Sequence, residues 1–108
     1  MELNNLNIQH DQEHHMFFIK LKNSHAHLNY TLVEKDVIEM TETYVPVEAR
    51  GMGVAGTIVK HALEHAKNER LKVIPSCPFI ERYIQENTEF EDLVYEPNMK
   101  SVKASQLN

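Results

Sequence analysis

The sequence predicts a small α/β domain of the α+β kind, with a mixed, mostly antiparallel sheet and two main helices. Three observations carry that expectation. Alternating polar and apolar residues, rich in β-branched and aromatic types, fill the first half of the chain. After a glycine-rich loop the period of the apolar residues changes from two to about 3.6. A short apolar run and a second helical segment follow, the order of a strand, helix, strand crossover. A chain of 108 residues has the size of one ordinary domain. Residues 1–95 are therefore expected to form a single domain, and residues 96–108, polar after Pro97, a disordered tail.

Taken in order, Leu6-Asn7-Ile8-Gln9-His10 alternates weakly as a short strand, and Asp11-Gln12-Glu13 reads as a turn. Met16-Phe17-Phe18-Ile19-Lys20-Leu21 is a stronger strand, reversed by Lys22-Asn23-Ser24-His25. The strand from Ala26 to Val33 then pairs back, with Ala26, Leu28, Tyr30 and Leu32 on one face. Glu34-Lys35-Asp36 makes a second reversal. The β-branched run from Val37 to Val45 ends at Pro46, which cannot donate to a ladder. Beyond the loop, Val54, Ala55, Ile58, Val59, Ala62, Leu63 and Ala66 form one apolar stripe, with Lys60, Glu64 and Lys67 opposite. Leu71-Lys72-Val73-Ile74-Pro75 is expected to lie parallel to the strand ending at Val45. A second helix is predicted from Pro78 to Glu86, with Phe79, Ile80, Tyr83 and Ile84 inward, and Phe90-Glu91-Asp92-Leu93-Val94-Tyr95 as a last strand.

Composition narrows the partners. The net charge of −5 lacks the basic face on which nucleic-acid binding rests. No apolar run approaches the roughly 18 residues of a membrane span. The N-terminus has neither the basic start nor the apolar stretch of a secretory signal, and the single cysteine forms no internal disulfide, so a cytoplasmic location is expected. A small anion remains a fitting ligand if one local site is positive.

Gly51-x-Gly53-x-x-Gly56, after a strand and at the opening of a helix, is such a site, because unpaired backbone N–H groups and the helix dipole meet there. Its literal spacing is that of a dinucleotide-binding fingerprint. That motif needs a strand running almost directly into the first glycine within a parallel sheet, whereas Pro46-Val47-Glu48-Ala49-Arg50 intervenes and the earlier strands read as antiparallel. A triphosphate P-loop fails, because no Lys-Ser or Lys-Thr pair follows the last glycine.

Read from Arg50, the pattern Val45-x-x-x-x-Arg50-Gly51-x-Gly53-x-Ala55 resembles the acetyl-CoA motif of the GNAT N-acetyltransferase superfamily. Ile74-Pro75-Ser76-Cys77-Pro78-Phe79-Ile80-x-x-Tyr83-Ile84, then Glu89-Phe90-x-Asp92-Leu93-Val94, is similar to compact single-domain GNAT-like proteins of the YjdJ type. The resemblance implies a GNAT-like sheet whose central parallel pair splays open, with acetyl-CoA, used as co-substrate without a metal, held in the gap. Its pyrophosphate would lie on Arg50, Gly51, Met52, Gly53, Val54, Ala55 and Gly56. Its pantetheine arm would run along the backbone of Thr43, Tyr44 and Val45. Cys77, Pro78, Phe79 and Tyr83 would complete the site, with Cys77 facing the thioester. One departure is that relatives often carry His-Thr-x-Val-Pro where this chain has Glu42-Thr43-Tyr44-Val45-Pro46.

Two residues are candidates for catalysis. Pro78 suits the first position of a helix, which makes Cys77 the N-cap, where the dipole favours a thiolate. Glu39 and Glu42, three positions apart, would sit on opposite faces of an unbroken strand, so one of them points into the cleft, and Glu42 would act as general base toward an acceptor amine. His61-Ala62-Leu63-Glu64-His65 spells a metalloprotease pattern, but both histidines flank the apolar stripe as edge residues, and no metal is expected. The other histidines, His10, His14, His15, His25 and His27, read as ordinary surface. The leading expectation is an acetyl-CoA-dependent N-acetyltransferase acting on a protein, peptide or small amine, directly or through Cys77. The competing one is a CoA-binding module without transferase activity.

Overall fold

The computed structural model describes residues 7–96. Leu6 of the first expected strand, and the expected tail from residue 97, lie outside them. Four strands, β1 (Ile8–Asp11), β2 (Met16–Lys20), β3 (His25–Glu34) and β4 (Val37–Tyr44), form an antiparallel meander. A 3₁₀ turn (Val47–Ala49) and the loop lead into helix α1 (Val54–Asn68). Strand β5 (Lys72–Pro75) then pairs parallel to β4, giving a five-stranded sheet in the order β1-β2-β3-β4-β5. Helix α2 (Pro78–Glu86) and a 3₁₀ segment (Thr88–Leu93) complete the described chain.

Local chemistry sets the turns. The Asp11 carboxylate accepts from the His14 backbone N–H at 3.1 Å and meets its ring Nδ1 at 2.8 Å, closing the β1–β2 reversal. The Leu21 N–H donates to the Ser24 carbonyl at 2.8 Å in the next one. Helix α1 ends with Arg70 in the left-handed region (φ 59°). There the Arg70 N–H donates to the Lys67 carbonyl at 3.2 Å and the Leu71 N–H to Ala66 at 2.8 Å. Those two bonds are the Schellman stop, with arginine where glycine is usual.

Both helices lie on one face of the sheet, because each has one apolar stripe to bury. Phe17, Ile19, Ala26, Leu28, Tyr30, Ile38, Met40 and Val73 meet Val54, Ile58, Val59, Ala62, Leu63 and Ala66 of α1, and Ile80 and Ile84 of α2, in one core. Ile58 and Leu63 are fully buried, so truncating either to alanine costs roughly 2–5 kcal/mol.

Four expectations are corrected. The last segment is a 3₁₀ turn. Phe90 anchors it in the core at 2% exposure, with Leu93 and Val94 packed beside it, and Val94 adds a single parallel bridge to Val73. Phe79 is not inward: it is 42% exposed, since the inward stripe of α2 narrows to Ile80 and Ile84. Leu32 is exposed as well, on the wall of a surface pocket that it shares with His65 and Glu69. His10 is no surface residue, because its ring stacks on Phe17 at 4.1 Å and its Nε2 meets the Tyr30 hydroxyl at 2.6 Å, with His65 edge-on at 4.7 Å.

Candidate functional site

The loop between β4 and α1 begins with Pro46 and the short turn Val47–Ala49, in which the Ala49 N–H donates to the Pro46 carbonyl at 2.9 Å. The Arg50 Nε donates to the Val45 carbonyl at 2.9 Å, which ties the guanidinium to the loop entrance. Gly51 and Gly53 both take positive φ, 84° and 77°, a backbone that only glycine adopts without strain. Gly53 is the N-cap of α1, and Thr57 Oγ1 donates back to its carbonyl at 2.9 Å. Gly56, in the first turn, leaves open the space between itself and α2. A Cβ built there would lie 3.8 Å from the Tyr83 ring.

These residues surround a cavity of about 230 Å³ lined by Val45, Ala49, Arg50, Gly51, Gly53, Val54, Ala55, Gly56 and Phe79. No acidic residue stands in the first turn of α1, so the positive end of the helix dipole is not neutralised. The arrangement suits an anion with an apolar neighbour. Met52, grouped with the loop on sequence, packs on the core and does not line the cavity. Ala49 does line it, and a lone alanine after a proline turn carries no sequence signal for that role. Tyr83 stands beside the cavity, its phenol held above the ordinary tyrosine range by burial and then by Glu89 and Glu64.

Next to the loop the sheet opens. Strand β5 pairs with β4 only as far as Met40 opposite Pro75, and the Cys77 N–H donates to the Met40 carbonyl at 3.2 Å. Residues 42–44 therefore pair only with β3. Cys77 is the N-cap of α2, with Pro78 at the first position. Its carbonyl accepts from the Ile80 and Glu81 N–H groups at 3.0 Å each. The thiol is buried, 8% exposed, and donates to Thr43 Oγ1 at 3.7 Å across the opening.

A bulge decides which way the β4 side chains point. Asn29 pairs with Glu42 and Tyr30 with Met40, leaving Thr41 as an extra residue. Glu39, opposite Thr31, and Glu42, opposite Asn29, consequently share one face, contrary to the alternation expected of an unbroken strand. That face is the one without helices. Thr43, opposite buried Leu28, faces the helices, while Tyr44, opposite His27, joins the carboxylates. Glu42 accepts from Asn29 Nδ2 at 3.1 Å, and Glu39 from Ser76 Oγ at 2.5 Å. His27 lies 5.4 Å from the Tyr44 ring, and its Nδ1 is shielded with no hydrogen-bond partner. Sequence reading missed both Ser76 and His27, because their partners are distant in the chain. Among the described residues, no group of three or more His, Cys, Asp or Glu side chains could hold a metal, and no helix is long and apolar enough to cross a membrane.

The five-stranded mixed sheet opens beside a glycine-rich helix N-terminus, and residues 16–93 match the family model of the GCN5-related N-acetyl-transferases, which makes the chain an acyltransferase by class. The chain belongs to that family. Its relatives include protein NATD1 of Mus musculus and of Homo sapiens, each 33% identical over 84 residues. The alignment covers 76% of this chain and 76% and 74% of those proteins. A GCN5-like protein from Staphylococcus aureus, solved by NMR, shares the fold with a TM-score of 0.63 at 24% identity, over 89% of this chain and 96% of that one.

Proposed function

We propose that the chain transfers the acetyl group of acetyl-CoA to an amine. The observation that carries this reading is the adjacency of two features: the anion-suited loop at the start of α1, and the opening between β4 and β5 with the Cys77 thiol at its wall. The fit to CoA rests on the glycine cradle. The positive φ of Gly51 and Gly53 and the absent side chain of Gly56 keep clear the space that backbone N–H groups of a helix N-terminus offer to a pyrophosphate. Arg50, Val54 and Ala55 belong to that cradle. The backbone of Thr43, Tyr44 and Val45, free of a β5 partner, would hydrogen-bond the pantetheine arm. Pro78, Phe79 and Tyr83 of α2 would cover it.

Two routes lead to product. In the direct one the amine nitrogen bonds to the acetyl carbon, the carbon–sulfur bond breaks, and the thiol of CoA leaves with a proton. In the covalent one Cys77 carries the acetyl group between two such exchanges. Glu42, on the open face, would accept the ammonium proton of an amine that approaches from that side for direct attack. The burial of Cys77 and its contact with Thr43 favour direct attack, since a transferring thiol must reach both donor and acceptor. A CoA-binding module without transferase activity is the alternative.

Mass spectrometry of the protein incubated with acetyl-CoA, followed by a screen of amine acceptors, separates these readings. An acetyl adduct on Cys77 that discharges to amine supports the covalent route. Acetylated amine without an adduct supports direct attack. Tight CoA binding with no acetylated product defeats the enzyme reading and leaves the binding module.

A further inference from the structure

The side of the sheet away from the helices is ordered into cross-strand rows. Gln9, Phe18, His27 and Tyr44 stand in register across β1 to β4, and Asp11, Met16, Asn29 and Glu42 form the next row. Thr31, Glu39 and Ile74 form the one after it. Three carboxylates thus lie in the two rows on one side of the aromatic one, while Lys20 stands in the row on its other side, at the β2 end, and Lys72 in the far row beyond Glu39. Among the described residues no helix packs on this face, since α1 and α2 both contribute to the core on the other.

Resting on the transferase reading above, we infer that this open face docks a basic peptide segment that presents a lysine as the acetyl acceptor. Charge is the first argument, because Glu39 and Glu42 favour a cationic occupant and steer it electrostatically, while Asp11, whose two oxygens are held by His14, adds only to the field. The bulge at Thr41 is the second. It brings Glu39 and Glu42 onto one face, each with one oxygen engaged by Ser76 or Asn29, where β4 loses its β5 partner and the opening toward Thr43 and Cys77 begins. Shape is the third. A free small amine would touch a single wall here, whereas a peptide brings its own side chains to span several rows. Phe18 and Tyr44, with Tyr44 42% exposed, offer their rings to the aliphatic stem and cationic head of a lysine. His27 on β3 stands between them, and with neighbouring strands about 4.8 Å apart the two rings lie about 10 Å from each other along a row that runs across the sheet toward the opening.

The test compares short fluorescent peptides with a central lysine, flanked by arginine in one and glutamate in the other, on the CoA-loaded chain by anisotropy. The basic peptide should bind, weaken as salt rises, and shift the backbone amide resonances of Phe18, Asn29 and Glu39. Thr31→Lys, on the same face and outside the transfer machinery, should weaken it about fivefold or more while leaving CoA affinity unchanged. Gln9→Arg serves as a second variant should Thr31→Lys fail to fold. Equal binding of the acidic peptide, no response to either variant, shifts confined to the helix side, or acetylation of spermidine in preference to the peptide would each overturn the inference. Calorimetry with CoA reports separately on the cofactor reading. Lost CoA affinity would sink that reading alone, because peptide binding to the free chain still reads the face.

Discussion

The Cys77 thiol donates to the Thr43 hydroxyl at 3.7 Å, across the stretch of β4 that has no β5 neighbour. The contact joins the start of α2 to the end of β4, 34 residues earlier. It also fixes where the sulfur can act, beside the opening and away from the open-face carboxylates.

Replacing Cys77 by serine keeps the volume and a donor for Thr43, so the fold should lose at most about 1 kcal/mol. CoA affinity, which comes from the loop, should be unchanged. If the acetyl group passes through sulfur, transfer should fall on the order of a hundredfold or more, because serine has no base at hand to activate it. Stopped assays with calorimetry check both parts. A variant as fast as the parent rules out the covalent route and leaves direct attack.

Gly56→Ala offers a cleaner probe of the cradle than Gly53→Val, which would add left-handed strain at φ 77°. The new methyl lies at ordinary contact distance, 3.8 Å, from Tyr83. Alanine favours the helix by about 1 kcal/mol, so Tm should rise by a few degrees while CoA affinity drops roughly tenfold. A stabilised variant with parental affinity would remove the first turn of α1 from the site.

Stability should fall on mild acidification. Burial holds His10, His65 and His27 below the ordinary imidazole value of 6.5, and the neighbouring His65 and His61 push His10 further down. Unfolded imidazoles therefore take protons near 6.5 while the folded ones do not, so the unfolded state binds more protons just below that pH. The contribution is complete above 6.5 and is lost as pH falls through the folded values. Urea midpoints measured from pH 7.5 down to pH 5 should decline, and His65→Gln should flatten the decline. A flat profile in the parent would show that the ring cluster accepts protons freely.

Arg70→Gly should stabilise the chain. The residue holds φ 59° at the end of α1 with both Schellman bonds formed, and a side chain there costs about 1 kcal/mol that glycine avoids. The gain is reduced by the greater freedom of glycine in the unfolded chain. Thermal unfolding should show a rise of a few degrees at most, and a lower Tm would mean that the arginine side chain contributes a contact of its own.

What the sequence determined by itself is whatever short-range pattern encodes. The stripe from Val54 to Ala66 fixed α1 and its buried face, Pro78 after Cys77 fixed the start of α2, and Gly51, Gly53 and Gly56 marked the loop. Each follows from the conformational range of one residue or the period of one element, so neighbouring positions suffice to read it. Only the tertiary structure decided the rest. The extra residue Thr41 is a property of the register between β3 and β4, and no pattern within β4 announces that Glu39 and Glu42 share a face. His10 and His27 read as surface because their polarity is local, while their burial comes from Phe17, Tyr30 and Tyr44 on other strands. Phe79 read as core because it is apolar, but α2 meets the sheet along a stripe already filled by Ile80 and Ile84, which leaves the phenyl ring at the mouth of the cavity. Burial and register are sums over partners distant in the chain, and they exist only once those partners have come together.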